Sequence, residues 1–301
     1  MGGTNYPARI RFPETGSVWL VRVPRVNGCI PQSLIDYLLP ASRAFGYGIA
    51  GDKDNKVDVS YILMEQMPGK VWNLQGPRGK DTADKDNERV WSGLADILIE
   101  LAGYPFPQAG SLLSGPSPSE PIVSALASER FLVLSPEGPF DTAADYYASF
   151  VEQNLALVAD GQLCSQIQDL AARPGKQESV QEFYIKHVDD KGDHLMVDDK
   201  LNITGIIDWH MARVVPAHEA FGPLLSSLTT HDRALARFLD TKGAIDLADL
   251  MRKDDKLRRG IWGAFGADQD TDWRSWKLGM LREYSCDPRL RDLIARYGKG
   301  P

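Results

Sequence analysis

The sequence predicts an α+β fold in two lobes, a small β-rich lobe followed by a larger, mostly helical one. Three observations carry this. The first seventy residues break into short alternating or β-branched runs, whereas most of the later chain has helical spacing around one small hairpin, and strands followed by helices is an α+β order. The length of 301 residues allows one large domain or two lobes, at roughly 100–200 residues per domain. The hydrophobic fraction of 43% and charged fraction of 25% are ordinary for a chain with a sizeable core. The expected division is a β-rich lobe over 1–70 and a helical lobe over 71–301, the latter carrying a chemically dense segment at 183–209.

Each element follows from a local pattern. Residues 8–12 (ARIRF) alternate and 18–24 (VWLVRVP) are rich in strand formers, with a Pro/Gly turn at 13–16 between them. A short helix is expected over 31–39. A strong strand is expected over 57–64 (VDVSYILM), stopped by Pro68-Gly69. A polar stretch, 76–87, precedes a helix over 89–101, whose apolar residues recur near every 3.6 positions. Residues 105–140 are rich in proline, glycine and serine and read as a long irregular segment. A helix over 142–158 takes Asp141 as its N-cap. Strands at 195–197 and 203–207 flank a polar turn, and from Ala217 onward the chain reads as helices.

The totals exclude several functions. A net charge of −7 and a pI near 5.3 are wrong for a nucleic-acid binder, which needs a basic footprint. They are compatible with a cationic or polyhydroxylated small ligand. Cys29, Cys164 and Cys286 are scattered and odd in number, which indicates free thiols in a reducing, cytoplasmic compartment and neither a disulfide framework nor a zinc module. The opening MGGTNYPARIRF has no apolar signal region and no myristoylation pattern. No apolar run approaches the ~18 residues that read as a membrane span.

Several short motifs fail on context. Gly46-Tyr-Gly48-Ile-Ala-Gly51 matches GxGxxG, but a polar loop and a strand follow it where a dinucleotide site needs a helix N-terminus. A P-loop, a GxSxG elbow and an HExxH pair are absent. Asp268-Gln-Asp270-Thr-Asp272 starts like a calcium loop, then places Trp273 and Gly279 where Gly and Glu are required.

The informative stretch is Phe183-Tyr-Ile-Lys-His187-Val-Asp189-Asp190-Lys191-Gly192-Asp193-His194-Leu-Met-Val-Asp198, which continues through Gly205-Ile-Ile-Asp208-Trp209. Four carboxylates and two imidazoles fall between His187 and Asp198. Such a concentration of charge must be paired, solvated or bound to a cation. The order resembles the catalytic loop and metal-binding Asp of the aminoglycoside phosphotransferase and choline-kinase-like family, a branch of the protein-kinase-like fold. That family runs His-Gly-Asp-x-x-x-x-Asn-Ile-Leu-Val-Asp, then Gly-Ile-Ile-Asp-Trp, and the spacing is kept here. Tyr61-Ile-Leu-Met64-Glu65-Gln-Met67-Pro-Gly69 resembles the hinge strand, and Trp19-Leu-Val-Arg22-Val-Pro24 the strand whose basic residue faces phosphates.

The resemblance implies a two-lobed kinase-like fold and transfer of phosphate from ATP to a hydroxyl of a small metabolite or aminoglycoside-like acceptor. It implies Asp189 as the catalytic base, with His187 supporting the loop. Asp208 and His194 are the implied ligands of Mg²⁺ or Mn²⁺. Arg22 is the implied phosphate contact, and Met64, Glu65 and Met67 line the nucleotide position. Phosphoryl transfer needs positioning and charge neutralisation more than covalent chemistry, and the hairpin between Asp189 and Asp208 would bring both carboxylates to one cleft. Three departures stand beside the match. His194 replaces the family Asn, Arg22 replaces a Lys, and the N-terminal lobe is short, without a Glu between residues 31 and 45 to partner the basic strand residue. They keep two other readings open, an ATP-independent reaction on a repurposed kinase-like scaffold and a catalytically dead binding protein.

Overall fold

The computed structural model describes residues 5–24, 43–72, 84–113, 115–116, 120–126, 136–159, 182–187, 194–209, 212–223 and 230–253. The helix expected over 31–39, Asp189, the three cysteines and everything beyond residue 253 lie outside them. The chain divides into two compact units that interleave along the sequence. One takes 1–104, 111–124 and 185–214, and the other takes 105–110, 125–184 and 215–301. The chain passes between them within β8 (Phe183–Lys186) and within β11 (Arg213–Pro216).

The first unit opens with an antiparallel sheet of order β1-β2-β4-β3. Its strands are β1 (Asn5–Arg11), β2 (Val18–Pro24), β3 (Ala44–Gly48) and β4 (Tyr61–Glu65). The turn after β1 closes through the Gly16 N–H to Phe12 O (2.8 Å) and the Phe12 N–H to Ser17 O (2.9 Å). Strand β4 is shorter than expected. Residues 51–60 turn instead, and Val57 and Val59 stay exposed. Asn55 explains this, because its Nδ2 bonds both Ile49 O and Val59 O at 2.9 Å and closes the segment as a loop. Strand β3 was not expected, and it contains two glycines of the GxGxxG match. A Cβ on Gly48 would stand 2.5 Å from Tyr61 Cε1, so that glycine admits an aromatic ring.

A second sheet, β10-β9-β5, joins Lys70–Val71 (β5) to the hairpin of Leu195–Val197 (β9) and Ile203–Ile206 (β10). Helix α1 (Asp84–Ala102), the longest among the described residues, buries Val90, Leu94, Ile97, Leu98 and Leu101, the 3.6-residue stripe read from the sequence. Each such burial is worth about 1.5–3 kcal/mol. Helix α1 approaches β10 closely at Gly93, where an added Cβ would lie 3.3 Å from Ile203 Cδ1. Trp72 meets Trp91 edge-on at 5.2 Å. Within the segment expected to be irregular, β6 (Ser111–Leu113) pairs with β7 (Ile122–Ser124).

The second unit is built around α2 (Ala143–Ala159), α3 (Ala217–Ala220), α4 (Thr230–Thr241) and α5 (Ile245–Arg252). The cap of α2 is Thr142, one residue beyond the expected Asp141. Thr142 Oγ1 accepts the Asp145 N–H (3.1 Å) and donates to Asp145 Oδ2 (2.7 Å), a reciprocal capping pair. Asp141 is drawn away by Gln108 Nε2 at 2.8 Å. Phe140, Tyr146 and Phe150 form an edge-to-face row. Helix α4 ends in a Schellman turn. Gly243 at φ 81 donates to Asp240 O, and the Ala244 N–H reaches back to Leu239 O, both at 2.9 Å. That turn sends α5 back along α4, so that Leu235, Leu239, Ala248 and Met251 are all buried.

Candidate functional site

The candidate site lies within the first unit and is organised by the β9–β10 hairpin. Asp198 builds the turn. Its Oδ1 accepts the N–H groups of Lys200 (2.8 Å) and Asn202 (2.9 Å), and its Oδ2 accepts Asn202 Nδ2 (2.8 Å). The Asn202 side chain foremost, then the backbone donors, hold the Asp198 carboxyl below the ordinary carboxylate range. The turn includes Leu201 at φ 63, a left-handed conformation. The hairpin then delivers His194, at the head of β9, and Asp208, just after β10, to one place, with the Ile207 N–H bonded to His194 O at 2.9 Å.

Asp208 has φ 71. Left-handed backbone in a non-glycine residue is uncommon, costs free energy, and concentrates at sites where a side chain must be aimed. Trp209 pins the following turn, with Nε1 donating to Ile206 O (2.9 Å) and its indole buried. His187, at the end of β8, donates from Nε2 to Ile207 O at 2.9 Å. A carbonyl can only accept, so that bond places a proton on Nε2. The His187 ring also lies 5.0 Å from Trp209 and 4.9 Å from His194. Its contacts brace the backbone that bears Asp208.

The Asp208 carboxylate is shared. Arg22 Nη2, from β2, donates to Oδ1 at 2.8 Å, while His194 Nε2 stands 3.9 Å from Oδ2. The side chains are 18% (Arg22), 25% (Asp208) and 12% (His194) exposed. Partial burial strengthens the attraction between Arg22 and Asp208 and also raises the cost of desolvating both charges. The sheet register puts Leu20 opposite Met64 and Arg22 opposite Ile62. Residues paired across antiparallel strands share a face, so Met64 lies on the face that carries Arg22. Glu65 falls on the other face, with Trp19. Its backbone N–H is bonded to Arg43 O at 2.7 Å. Trp19 stacks on Phe45 (4.4 Å) and meets Phe12 at a tilt (4.8 Å). Met67 follows β4, ahead of Pro68, whose carbonyl accepts Thr204 Oγ1 at 2.7 Å.

Of the expected residues, Arg22, His187, His194 and Asp208 therefore converge, and Met64 shares the face of Arg22. Asp189 lies outside the described residues. The direct Arg22–Asp208 bond was not read from the sequence, since 186 positions separate the partners and no local pattern spans that gap. Among the described residues no group of three His, Cys, Asp or Glu side chains is placed to hold a metal ion. His194 Nε2 and Asp208 Oδ2 stand 3.9 Å apart, longer than a hydrogen bond.

The second unit holds another carboxylate. Glu219, 3% exposed, accepts the Tyr147 hydroxyl at Oε2 (2.7 Å) and the Tyr146 hydroxyl at Oε1 (3.5 Å). His218 Nε2 lies 3.1 Å from the Tyr147 oxygen. Nearby in the chain, Tyr184 donates to Glu182 at 2.6 Å. Burial first, and that carboxylate second, push the Tyr184 hydroxyl up to about 12.

The profile of the phosphotransferase enzyme family matches residues 20–277. A macrolide 2'-phosphotransferase of type I is similar in structure, with a TM-score of 0.50 at 14% identity over 98% of this chain and 88% of that one. An ethanolamine kinase from Plasmodium vivax has a TM-score of 0.46 at 11% identity, over 98% and 83%. No curated protein matches in sequence. Among the described residues no helix is long and apolar enough to cross a membrane.

Proposed function

The chain belongs to the phosphotransferase enzyme family and has its kinase-like fold, and we propose that it transfers the terminal phosphate of ATP to a hydroxyl of a small metabolite or aminoglycoside-like acceptor. The observation that carries this reading is the meeting of Arg22, His194 and Asp208, with His187 behind them. Residues 1–70 then act as a reduced β lobe with its hinge, and 71–301 as the helical lobe. Met64, Glu65 and Met67 lie at the nucleotide position, Glu65 by its backbone because its side chain is on the other face of the sheet from Met64. Arg22 contacts the phosphates, for which a guanidinium offers a bidentate fork that a lysine lacks. Asp208 and His194 hold a divalent cation, Mg²⁺ or Mn²⁺, which when bound neutralises charge on the phosphates. Asp189 orients the acceptor hydroxyl and takes its proton onto a carboxylate oxygen as the oxygen attacks the terminal phosphorus, whose bond to the bridging oxygen breaks to release ADP. His187 holds the carbonyl of Ile207 and so the aim of Asp208. The net charge of −7 favours a cationic acceptor.

Calorimetric titration of ATP and a non-hydrolysable analogue, with either metal, tests the reading on wild type and Asp208→Ala. Metal-dependent binding that disappears in the variant supports it. A folded wild type that binds no nucleotide with either metal overturns it. A second reading, an ATP-independent reaction or ligand capture on the same scaffold, draws on the Arg22–Asp208 ion pair, in which the carboxylate already has a cation of its own. Failure of nucleotide binding would select that reading.

A further inference from the structure

We infer that Arg9 is a second phosphate contact of the nucleotide site, gripping the polyphosphate tail beside Arg22. The inference rests on the phosphotransferase reading and adds a residue to it. Three observations combine. First, the register of the β1–β2 hairpin sets Pro7 opposite Arg22 and Arg9 opposite Leu20. Leu20 and Arg22 are two apart on β2, so Arg9 lies on the face of the sheet that carries Arg22, as does Arg11, opposite Val18. Second, strands β1 to β4 hold a single carboxylate, Glu65, and its pairing with Trp19 puts it on the other face. In a chain of net charge −7, three arginines on a strand face without a carboxylate are a local reversal of sign. Third, Arg9 and Arg11 are exposed, and among the described residues no hydrogen bond or ion pair holds either one. Arg22, by contrast, already gives Nη2 to Asp208.

Spacing decides which of the two serves. Diagonal neighbours across an antiparallel pair stand about 7–8 Å apart, within reach of long side chains. Arg9 is the diagonal neighbour of Arg22, and Arg11 is two residues, about 7 Å, farther along β1. Transfer of a terminal phosphate depends on positioning and on neutralising charge. The Arg22–Asp208 pair by itself presents little net charge to a polyphosphate. A guanidinium with no carboxylate of its own, one diagonal away, supplies that charge together with a fork that matches two phosphate oxygens.

The test is calorimetric titration of the intact protein with ATP and Mg²⁺ in wild type, Arg9→Ala, Arg9→Lys and Arg11→Ala. At 0.15 M salt the screening length is about 8 Å, so a diffuse field would feel the loss of either arginine alike, whereas a contact would not. Arg9→Ala is expected to weaken ATP by about tenfold, the lower end of what a hydrogen bond to a charged group contributes. Arg9→Lys, which keeps the charge and lacks the fork, should fall between. Arg11→Ala should stay within about twofold of wild type. Both side chains are exposed, so all three variants should keep the wild-type Tm. Should Arg9→Ala melt early, Arg9→Lys carries the test with a loss of about threefold. Folded Arg9 variants that bind ATP as wild type does, or an Arg11→Ala that weakens ATP as much as Arg9→Ala, overturn the inference. The phosphotransferase reading survives either result, because wild type still binds the nucleotide. A folded wild type that binds no ATP removes both.

Discussion

Two aspartates close the two ends of one short hairpin strand, and they are used in opposite ways. Asp198 spends both oxygens on donors two and four residues away, inside its own turn. Asp208 turns one oxygen to an arginine 186 positions earlier and the other toward a histidine 14 residues before it, on the partner strand. The first is a local device that sets the hairpin. The second is exported from its own segment, at the cost of left-handed backbone. A carboxylate whose bonds are all local can be satisfied by any chain that makes the turn. One whose partners are distant reports the assembled unit.

The contrast is open to attack, from the largest effect to the smallest. Asp208→Ala should lower phosphate transfer by about 10³-fold or more, the scale on which preorganised electrostatic groups act, as measured by kcat/KM. Arg22→Ala should raise the nucleotide KM by roughly tenfold, with Arg22→Lys intermediate because charge survives and the fork does not. If both Arg22 variants match wild type, the ion pair has no role in nucleotide capture. Gly69→Ala should destabilise the first unit by more than about 1 kcal/mol in denaturant unfolding. Gly69 has φ 95, and an added Cβ would fall on the Val197 carbonyl. Asp198→Ala should act on stability alone, lowering Tm by a few degrees at neutral pH and leaving KM unchanged.

Acid and alkali separate the regions further. The Asp198 pKa is lowered in the folded state. Its contribution is therefore complete above the ordinary carboxylate value of about 3.9 and is lost as pH falls through the folded value. Asp198→Asn should thus narrow the stability gap to wild type below about pH 4. Tyr184, in the second unit, has the opposite sign. Its folded value of about 12 lies above the ordinary tyrosine value of 10.0, so its contribution is full below pH 10 and is lost between pH 10 and 12. Tyr184→Phe should flatten the alkaline limb of a melting profile. An alkaline limb unchanged in the variant would remove that hydroxyl from the account.

The same contrast explains what was legible. The hairpin strands 195–197 and 203–207, the apolar stripe of α1 and β2 over 18–24 were readable because their causes lie within a few residues. Strand β3 was not, since its glycines hide period-two alternation and its reason is a ring contributed by Tyr61. The cap of α2 slipped from Asp141 to Thr142 because Gln108, more than thirty residues upstream, competes for the aspartate. His187, His194 and Asp208 were marked by spacing along the segment, whereas the bond from Arg22 needed the folded sheet.

The separation between Arg22 and Asp208 also sets an order of events. Strands β1 to β4 are all encoded by residue 65, so the sheet that carries Arg22 has its full set of strands while most of the chain is still unmade. The carboxylate it binds is added 143 residues after the last of those strands. Closing so long a loop adds only slowly to the entropic cost, which grows with the logarithm of its length. During synthesis the Arg22–Asp208 bond therefore cannot form until β9 and β10 have followed the sheet strands out of the ribosome.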